Sequence, residues 1–171
     1  MKDPPASREL RHVRGTRVHE VNAIYHLRTS TVGGLPLLAA DACKRVVVEN
    51  LKLSGRLFGL DIIAYVVMPE HVHAIVQPRG DHNISDFMAS FKKHSARKVN
   101  KLLGRTGGVW RREFFDHMLR SREHLHELAD YIHCNPVRRG LVACPEDWRF
   151  SSWHEVHEPN SRGHPPAQRV D

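Results

Sequence analysis

Two β-forming runs lie close together near the middle of the chain, and they limit its fold more than any other feature. Residues 62–68 (IIAYVVM) and 72–77 (VHAIVQ) are rich in β-branched and aromatic side chains and are joined across Pro69 and Glu70. Because so short a connection can only reverse the chain, we expect an antiparallel hairpin. The fold must therefore contain an antiparallel sheet.

The second run overlaps a His-x-His motif, which is formed by His71, Val72 and His73. Since side chains alternate across a strand, His71 and His73 should share one face, while Val72, Ala74 and Val76 fill the other. Two neighbouring imidazoles can bind one divalent cation through neutral ring nitrogens. A hydrogen-bonded or half-exposed histidine pair without a metal fits the pattern equally well, and the chain has 14 histidines.

The remaining periodic segments alternate between the two kinds of secondary structure. They are a strand over residues 17–31, a helix over 39–57 with Asp41 as its N-cap, a helix from Ser85 to about Leu103, a strand over 109–119, and a helix beginning at 121–124. The resulting order is βαββαβα. We therefore predict an α+β fold, a ferredoxin-like antiparallel sheet with helices packed on one face.

The length of 171 residues suits a single domain, which we place at residues 16–156. Residues 1–15 are expected to be a flexible basic extension, and residues 157–171 a disordered tail. No apolar run approaches a membrane span, and the start lacks a secretory signal. The three cysteines have no CxxC spacing, so we expect neither a disulfide framework nor a thiolate metal site. These features predict a cytoplasmic protein.

The charge balance points to a polyanionic partner. The net charge is +7 at pH 7, and many of the cations recur along the second predicted helix and the segment after it. The candidate DNA-binding residues are Lys92, Lys93, Arg97, Lys98, Lys101, Arg105, Trp110, Arg111 and Arg112. Cations beside an aromatic ring suit single-stranded nucleic acid, where phosphates supply affinity and bases stack. A solvated helix face is the alternative.

The last predicted helix carries a second candidate cluster. Tyr131 follows Leu128 by three residues, at the edge of the apolar stripe, and Asn135 lies one turn further on. If this helix crosses the face that bears the histidines, Asn135 could complete a metal site with Tyr131 beside it. Alternatively, Tyr131 is a residue at the core's edge, and Asn135 with Pro136 forms a turn that ends the helix.

Four motifs together resemble one family. They are YVVMPEHVHAIV at 65–76, GRTGGVWRREFFDHML at 104–119, YIHCNPVRRGLV at 131–142 and WRFSSW at 148–153. The chain resembles the REP-associated tyrosine transposases, which belong to the single-tyrosine HUH transposases of the insertion-sequence-200-like type. The resemblance covers about residues 17–153.

This resemblance implies the HUH fold and a role for each motif residue. His71 and His73 match the metal-binding histidines, Tyr131 matches the nucleophile, and Asn135 matches the third ligand. Glu70 stands where relatives often have Asn, a departure that we expect to be harmless. The implied cation is Mg²⁺ or Mn²⁺. A phenol, whose ordinary pKa is about 10, needs such help to attack phosphorus.

The implied function is a single-stranded DNA endonuclease and strand transferase that acts at hairpin-forming repeats. It would form a 5′-phosphotyrosine intermediate in DNA transposition and recombination. The expected partner is hairpin-containing single-stranded DNA at the nucleoid, bound by a monomer or homodimer. Two other functions remain open. One is a nucleic-acid-binding protein of the same fold without cleavage activity, and the other is a metallohydrolase that releases a free 5′-phosphate.

Overall fold

A computed structural model of the protein describes residues 23–80, 83–119 and 124–157. Its strands are β1 (Ile24–Ser30), β2 (Leu60–Val67), β3 (His71–Pro78) and β4 (Phe115–Leu119). Its α-helices are α1 (Asp41–Leu57), α2 (Ile84–Leu102), α3 (Leu125–His133), α4 (Asn135–Arg138) and α5 (Trp153–His157). The expected extension at 1–15, the first part of the strand expected at 17–31, nearly all of the tail at 157–171 and the helix start at 121–123 lie outside the described residues.

The four strands form one sheet in the order β2-β3-β1-β4, and every neighbouring pair is antiparallel. This arrangement confirms the predicted ferredoxin-like α+β fold. The hairpin that joins β2 to β3 is also confirmed, with Val67 paired to Val72 beside the turn. No helix in the described ranges is long and apolar enough to cross a membrane.

The sheet has two differently covered faces. Helices α1 and α2 pack on the face that carries the apolar side chains of β3, where the core includes Val72, Ala74 and Val76. On the opposite face, α3 buries Ala129 and Ile132 in a smaller apolar cluster with side chains of β1, β2 and β3. The two faces of β3 are therefore divided as its sequence predicts. The expectation that the helices pack on one face is wrong, because the apolar side chains of α3 are buried on the face opposite α1 and α2.

The sequence predicts Asp41 and Ser85 as the N-caps of α1 and α2, and both predictions are wrong. The N-cap of α1 is Ala40, while Asp41 is the first helical residue, where its negative charge faces the positive end of the helix dipole. The N-cap of α2 is Asn83, whose side chain accepts a 2.7 Å hydrogen bond from the backbone N–H of Ser85. An Asx turn two residues before Ser85 accounts for the shift.

The strand predicted over residues 109–119 is much shorter than expected. Only Phe115–Leu119 pairs along β1, and Trp110 makes a single bridge to Thr31. The intervening loop is held by Lys92, whose Nζ donates to the carbonyls of residues 111–113 at 3.0–3.2 Å. These carbonyls accept hydrogen bonds from an ammonium group and not from a neighbouring strand. The pairing of β4 with β1 therefore does not extend to residues 111–113.

Gly55 allows α1 to approach the sheet closely. A Cβ at this buried position would lie 2.9 Å from Ile62 Cγ1 and 3.1 Å from the Leu60 carbonyl oxygen. We predict that Gly55→Ala lowers the free energy of unfolding by about 1–3 kcal/mol through overpacking, despite the roughly 1 kcal/mol advantage of Ala in helices. Chemical denaturation measures the change. The cost should shrink in an Ile62→Ala background, and an equal cost there would contradict the proposed clash.

Candidate active site

The two histidines of β3 lie together on the face opposite α1 and α2. Their side chains alternate with Val72 and Ala74, which belong to the core beneath those helices. The rings of His71 and His73 meet edge to face with 5.0 Å between their centroids. Only 4% and 6% of these residues are exposed, respectively. The predicted histidine pair is therefore formed, and it is largely shielded from water.

A third imidazole, which sequence reasoning missed, belongs to this cluster. His26 of β1 lies with its Nε2 at 2.8 Å from Nδ1 of His73, and the two rings stack at 5.1 Å. When His73 donates this hydrogen bond from Nδ1, its Nε2 lone pair is free to bind a ligand. The alternation of β1 was visible in the sequence. The register that brings His26 beside His73 was not.

Glu70 orients the other histidine. Its carboxylate lies 3.1 Å from His71 Nδ1 and 3.1 Å from a guanidinium nitrogen of Arg139. The backbone carbonyl of Glu70 accepts hydrogen bonds from the N–H and the hydroxyl of Thr31. Glu70 was expected to be a harmless departure from the family. In the structure it fixes the ring of His71 and connects it to α4.

The imidazoles of this cluster favour the neutral form. Burial lowers the pKa of His73 to about 2 and that of His26 to about 4. Burial also lowers the pKa of His71; Arg28 adds to this effect, whereas Glu70 opposes it. Neutral rings keep a lone pair for a cation even below neutral pH. Protonation would not compete with a metal ion at pH 7.

The predicted tyrosine and asparagine stand on either side of a break between two helices. Tyr131 lies in α3 and is 44% exposed, whereas Asn135 begins α4 and is 8% exposed. Pro136 occupies the first turn of α4, where its missing N–H is tolerated. The guanidinium of Arg138 lies 4.0 Å from the centroid of the Tyr131 ring. A cation therefore covers the phenol.

The donor set fits a hard divalent cation only if an amide contributes. Within residues 23–80, 83–119 and 124–157, no group of three or more His, Cys, Asp or Glu side chains is placed to hold a metal ion. His71 and His73 can offer one free Nε2 each. Asn135 is buried at the start of α4; the charge of Arg138, at the end of that helix, acts on His73, and the charge of Arg139, its C-cap, acts on His71. The amide oxygen is a ligand that Mg²⁺ or Mn²⁺ accepts, whereas imidazole nitrogens also suit zinc and other transition metals.

Two of the predicted DNA-binding cations are engaged inside the protein. The ammonium of Lys92 directs its three hydrogen bonds to the carbonyls of residues 111–113 and lies over the ring of Phe114. An ammonium has three donors, so this geometry can satisfy all of them. Arg105 donates to the carbonyl of Gly108 at 3.4 Å. Both cations stabilise the loop that follows α2.

The remaining predicted cations are exposed at two separate places. Those of α2 lie in the helical layer on the far side of the sheet from the histidines; they are Lys93, Arg97, Lys98 and Lys101. Arg111 and Arg112 lie in the loop, where the backbone N–H of Arg111 donates to Ser30. Ser30 pairs with His71, so this loop runs past the histidine end of the sheet.

The prediction that Trp110 offers a stacking surface is wrong. Its residue is 8% exposed, its ring packs against Phe91 at 5.6 Å, and its Nε1 donates to Ser95 Oγ at 2.9 Å. An indole with a satisfied N–H can lie in the core, and the sequence cannot reveal that partner. Phe115, on the histidine face of the sheet, is instead an exposed aromatic residue, with 48% exposure.

Comparisons with known proteins agree with the resemblance inferred from the motifs. The family model described as Transposase IS200 like matches residues 22–135. A REP-associated tyrosine transposase of Escherichia coli K12 is 34% identical over 95 residues, which is 55% of this chain and 54% of that protein. A Haemophilus influenzae protein, provisionally named a REP-associated tyrosine transposase, is 31% identical over 107 residues, which is 57% of this chain and 61% of that protein. The matched regions thus span less than two thirds of either relative.

The fold also matches a solved structure. A REP-associated tyrosine transposase bound to a REP hairpin superposes with a TM-score of 0.69 at 25% identity, covering 84% of each chain. The solved structure of a Deinococcus radiodurans protein, provisionally named a transposase, superposes with a TM-score of 0.51. This comparison supports the fold alone. The HUH fold implied by the sequence is therefore confirmed.

The buried hydrogen bond of Trp110 provides a test of its structural role. We predict that Trp110→Phe lowers the free energy of unfolding by about 1–2 kcal/mol, because Ser95 Oγ loses its donor in the core. Urea denaturation of Trp110→Phe, Ser95→Ala and the double variant gives the coupling energy, which should be about 1 kcal/mol. Additive effects would contradict the hydrogen bond. Folded Trp110→Phe should still bind DNA as the unmodified chain does.

Proposed function

The chain belongs to the IS200-like transposase family, and we propose that it cleaves and rejoins single-stranded DNA with Tyr131 as nucleophile and a divalent metal as cofactor. One observation carries the proposal. His71 and His73 are buried, favour the neutral form and are each oriented through Nδ1, by Glu70 and by His26. Orientation of the ring through Nδ1 is typical of histidines that bind a metal ion through Nε2.

His71, His73 and Asn135 would hold the metal ion. When bound there, Mg²⁺ or Mn²⁺ supplies positive charge that polarises the scissile phosphate. Glu70 and His26 keep the ligand nitrogens directed outward from the sheet. The arginines near the pair, including Arg139, supply further positive charge for phosphate oxygens.

Tyr131 would carry out the covalent step. Its phenol oxygen attacks phosphorus and loses its proton, the bond from phosphorus to the 3′ oxygen breaks, and that oxygen takes up a proton. The products are a 5′-phosphotyrosine link and a free 3′-hydroxyl. Reversal with another 3′-hydroxyl rejoins the strands, so the energy of the phosphodiester bond is retained and no nucleotide cofactor is needed.

Arg138 would assist this attack. Its guanidinium lies 4.0 Å from the centre of the Tyr131 ring, where positive charge stabilises a phenol that is becoming phenolate. The exposed position of Tyr131 leaves the hydroxyl accessible to a DNA strand. The two histidine ligands thus stand on the sheet, whereas the nucleophile stands on α3 and the proposed amide ligand on α4.

The partner we propose is hairpin-containing single-stranded DNA. The solved relative is bound to a REP hairpin, and the net charge of +7 on this chain suits a polyanion. Exposed arginines at 111 and 112 in the loop beside the histidine end of the sheet can contact phosphates. Acting on such a substrate, the protein would work at the nucleoid of the cytoplasm. Binding as a monomer or as a homodimer is compatible with this proposal.

The nucleophile can be tested directly. We predict that Tyr131→Phe abolishes the covalent complex with a labelled hairpin DNA, because the variant has no phenol oxygen to attack phosphorus. A denaturing gel with Mn²⁺ measures adduct formation. Tyr65→Phe is the matched control and should still form the adduct, since Tyr65 is buried in the core beneath α1 and α2.

Three results would contradict the proposal. An adduct that persists in Tyr131→Phe would exclude this nucleophile. Binding of the hairpin without any adduct in the unmodified chain would instead favour a cleavage-inactive binding protein. Release of a free 5′-phosphate that survives loss of Tyr131 would indicate a metallohydrolase.

The role of Glu70 gives a second test. We predict that Glu70→Ala weakens Mn²⁺ binding about 10- to 100-fold, because His71 loses the group that fixes its ring. Calorimetric titration with Mn²⁺ measures the affinity, and circular dichroism checks the fold. The control is Glu146→Ala, which removes an exposed carboxylate from the turn before α5. Equal losses in both variants would show that Glu70 has no specific role.

A further inference from the structure

The side chain of Phe115 stands on the same sheet face as the histidines but on the edge strand β4. Phe115 is 48% exposed. Helix α3 contacts β2 most extensively, at the opposite edge of the sheet. The β4 side of the face therefore presents an aromatic ring to solvent next to the candidate active site.

The strand registers place a positively charged side chain, that of Arg28, between this ring and the histidine pair. Arg28 of β1 is opposite His73 on one side and opposite Phe115 on the other. Residues opposite each other in antiparallel strands share a face, with their Cβ atoms about 5 Å apart. Arg28 is exposed, and its charge acts on both histidines of β3. The three side chains form one row across the sheet.

The ring of Phe115 is held in a fixed orientation by its neighbours. It meets His26 edge to face with 5.9 Å between the centroids, and it stacks on His117 at 6.4 Å. His26 is in turn hydrogen-bonded to His73. The exposed ring is thus continuous with the side chains that orient the candidate metal site, and it is ordered before any ligand binds.

We propose that Phe115 and Arg28 bind the unpaired nucleotide next to the scissile phosphate, with the base on the ring and its phosphate on the guanidinium. This inference rests on the proposed function, which brings a strand to the histidine pair. An aromatic ring beside a cation matches the chemistry of a nucleotide, since a base stacks and a phosphate is an anion. Every base has a π-face, so this contact should tolerate any sequence.

The charge around the ring argues against an apolar protein partner. Phe115 is accompanied on its face by Arg28 and His117, and a surface for an apolar partner would instead be depleted of charge at its centre. The row also ends at His73, where a phosphate is required by the chemistry. A nucleotide meets both requirements, because its base and its phosphate belong to the same unit of the strand.

The test compares two labelled DNA hairpins that differ only in their single-stranded flanks. One hairpin has thymidine flanks, and the other has abasic flanks of equal length and charge. Affinities are measured by fluorescence anisotropy in EDTA, so that cleavage does not interfere. The variants are Phe115→Leu, which keeps an apolar side chain but removes the ring, Phe115→Tyr, which keeps the ring, and Arg28→Gln.

We expect the unmodified chain to bind the thymidine hairpin about 5- to 100-fold more tightly than the abasic one, the range found for one stacked base. Phe115→Leu should remove most of this preference, and Phe115→Tyr should retain it. Arg28→Gln should weaken both hairpins by the same factor, because a phosphate contact is independent of the base. Leu57→Ala, at the exposed end of α1, should change neither affinity.

Three outcomes separate this inference from the proposed function. Unchanged preference in Phe115→Leu, or no preference in the unmodified chain, overturns the nucleotide site even when Tyr131 forms its adduct. Loss of the preference in Phe115→Leu without any adduct in the unmodified chain supports the site and removes the cleavage reaction. Loss of the preference together with an intact adduct supports both.

Discussion

The antiparallel pairing of β1 with β3 brings together side chains that are 47 residues apart along the chain. Its register sets His26 within 2.8 Å of His73 and places Arg28 directly opposite that histidine. A slip of one residue would turn both side chains of β1 into the apolar core beneath α1 and α2. The apolar face of β1 makes that slip costly, since Tyr25 and Leu27 would then lose their burial.

Several other features of the candidate site depend on this pairing. The histidines are held by partners on both sides, His26 on β1 and Glu70 at the turn, and burial keeps them in the neutral form. Around them the charges are mostly positive, with Arg28, Arg138 and Arg139 acting on the pair. The guanidinium groups around this neutral pair attract phosphate oxygens and repel a cation that arrives alone, so the proposed metal ion would bind together with a phosphate.

Local sequence patterns predicted the parts of the structure that depend on neighbours along the chain. The hairpin and the two faces of β3 follow from a hydrophobic period of two residues. The buried apolar stripe of α2 follows from a period of 3.6 residues. Contacts between distant segments could not be read in this way. The sequence shows that Trp110 and Lys92 are aromatic and basic, but it does not show that Ser95 and the carbonyls of residues 111–113 satisfy them inside the protein. For the same reason His26 and Phe115 were missed.

The central claim is that one cation site lies between the β3 histidines and the phenol of α3. Paramagnetic line broadening by Mn²⁺ in the NMR spectrum of the protein tests it most directly, since the effect falls steeply with distance. We expect small additions of Mn²⁺ to broaden the imidazole signals of His71 and His73 first, together with the ring signals of Tyr131, while those of Tyr25 stay sharp. Broadening of the histidine signals without Tyr131, or of neither, would contradict the claim.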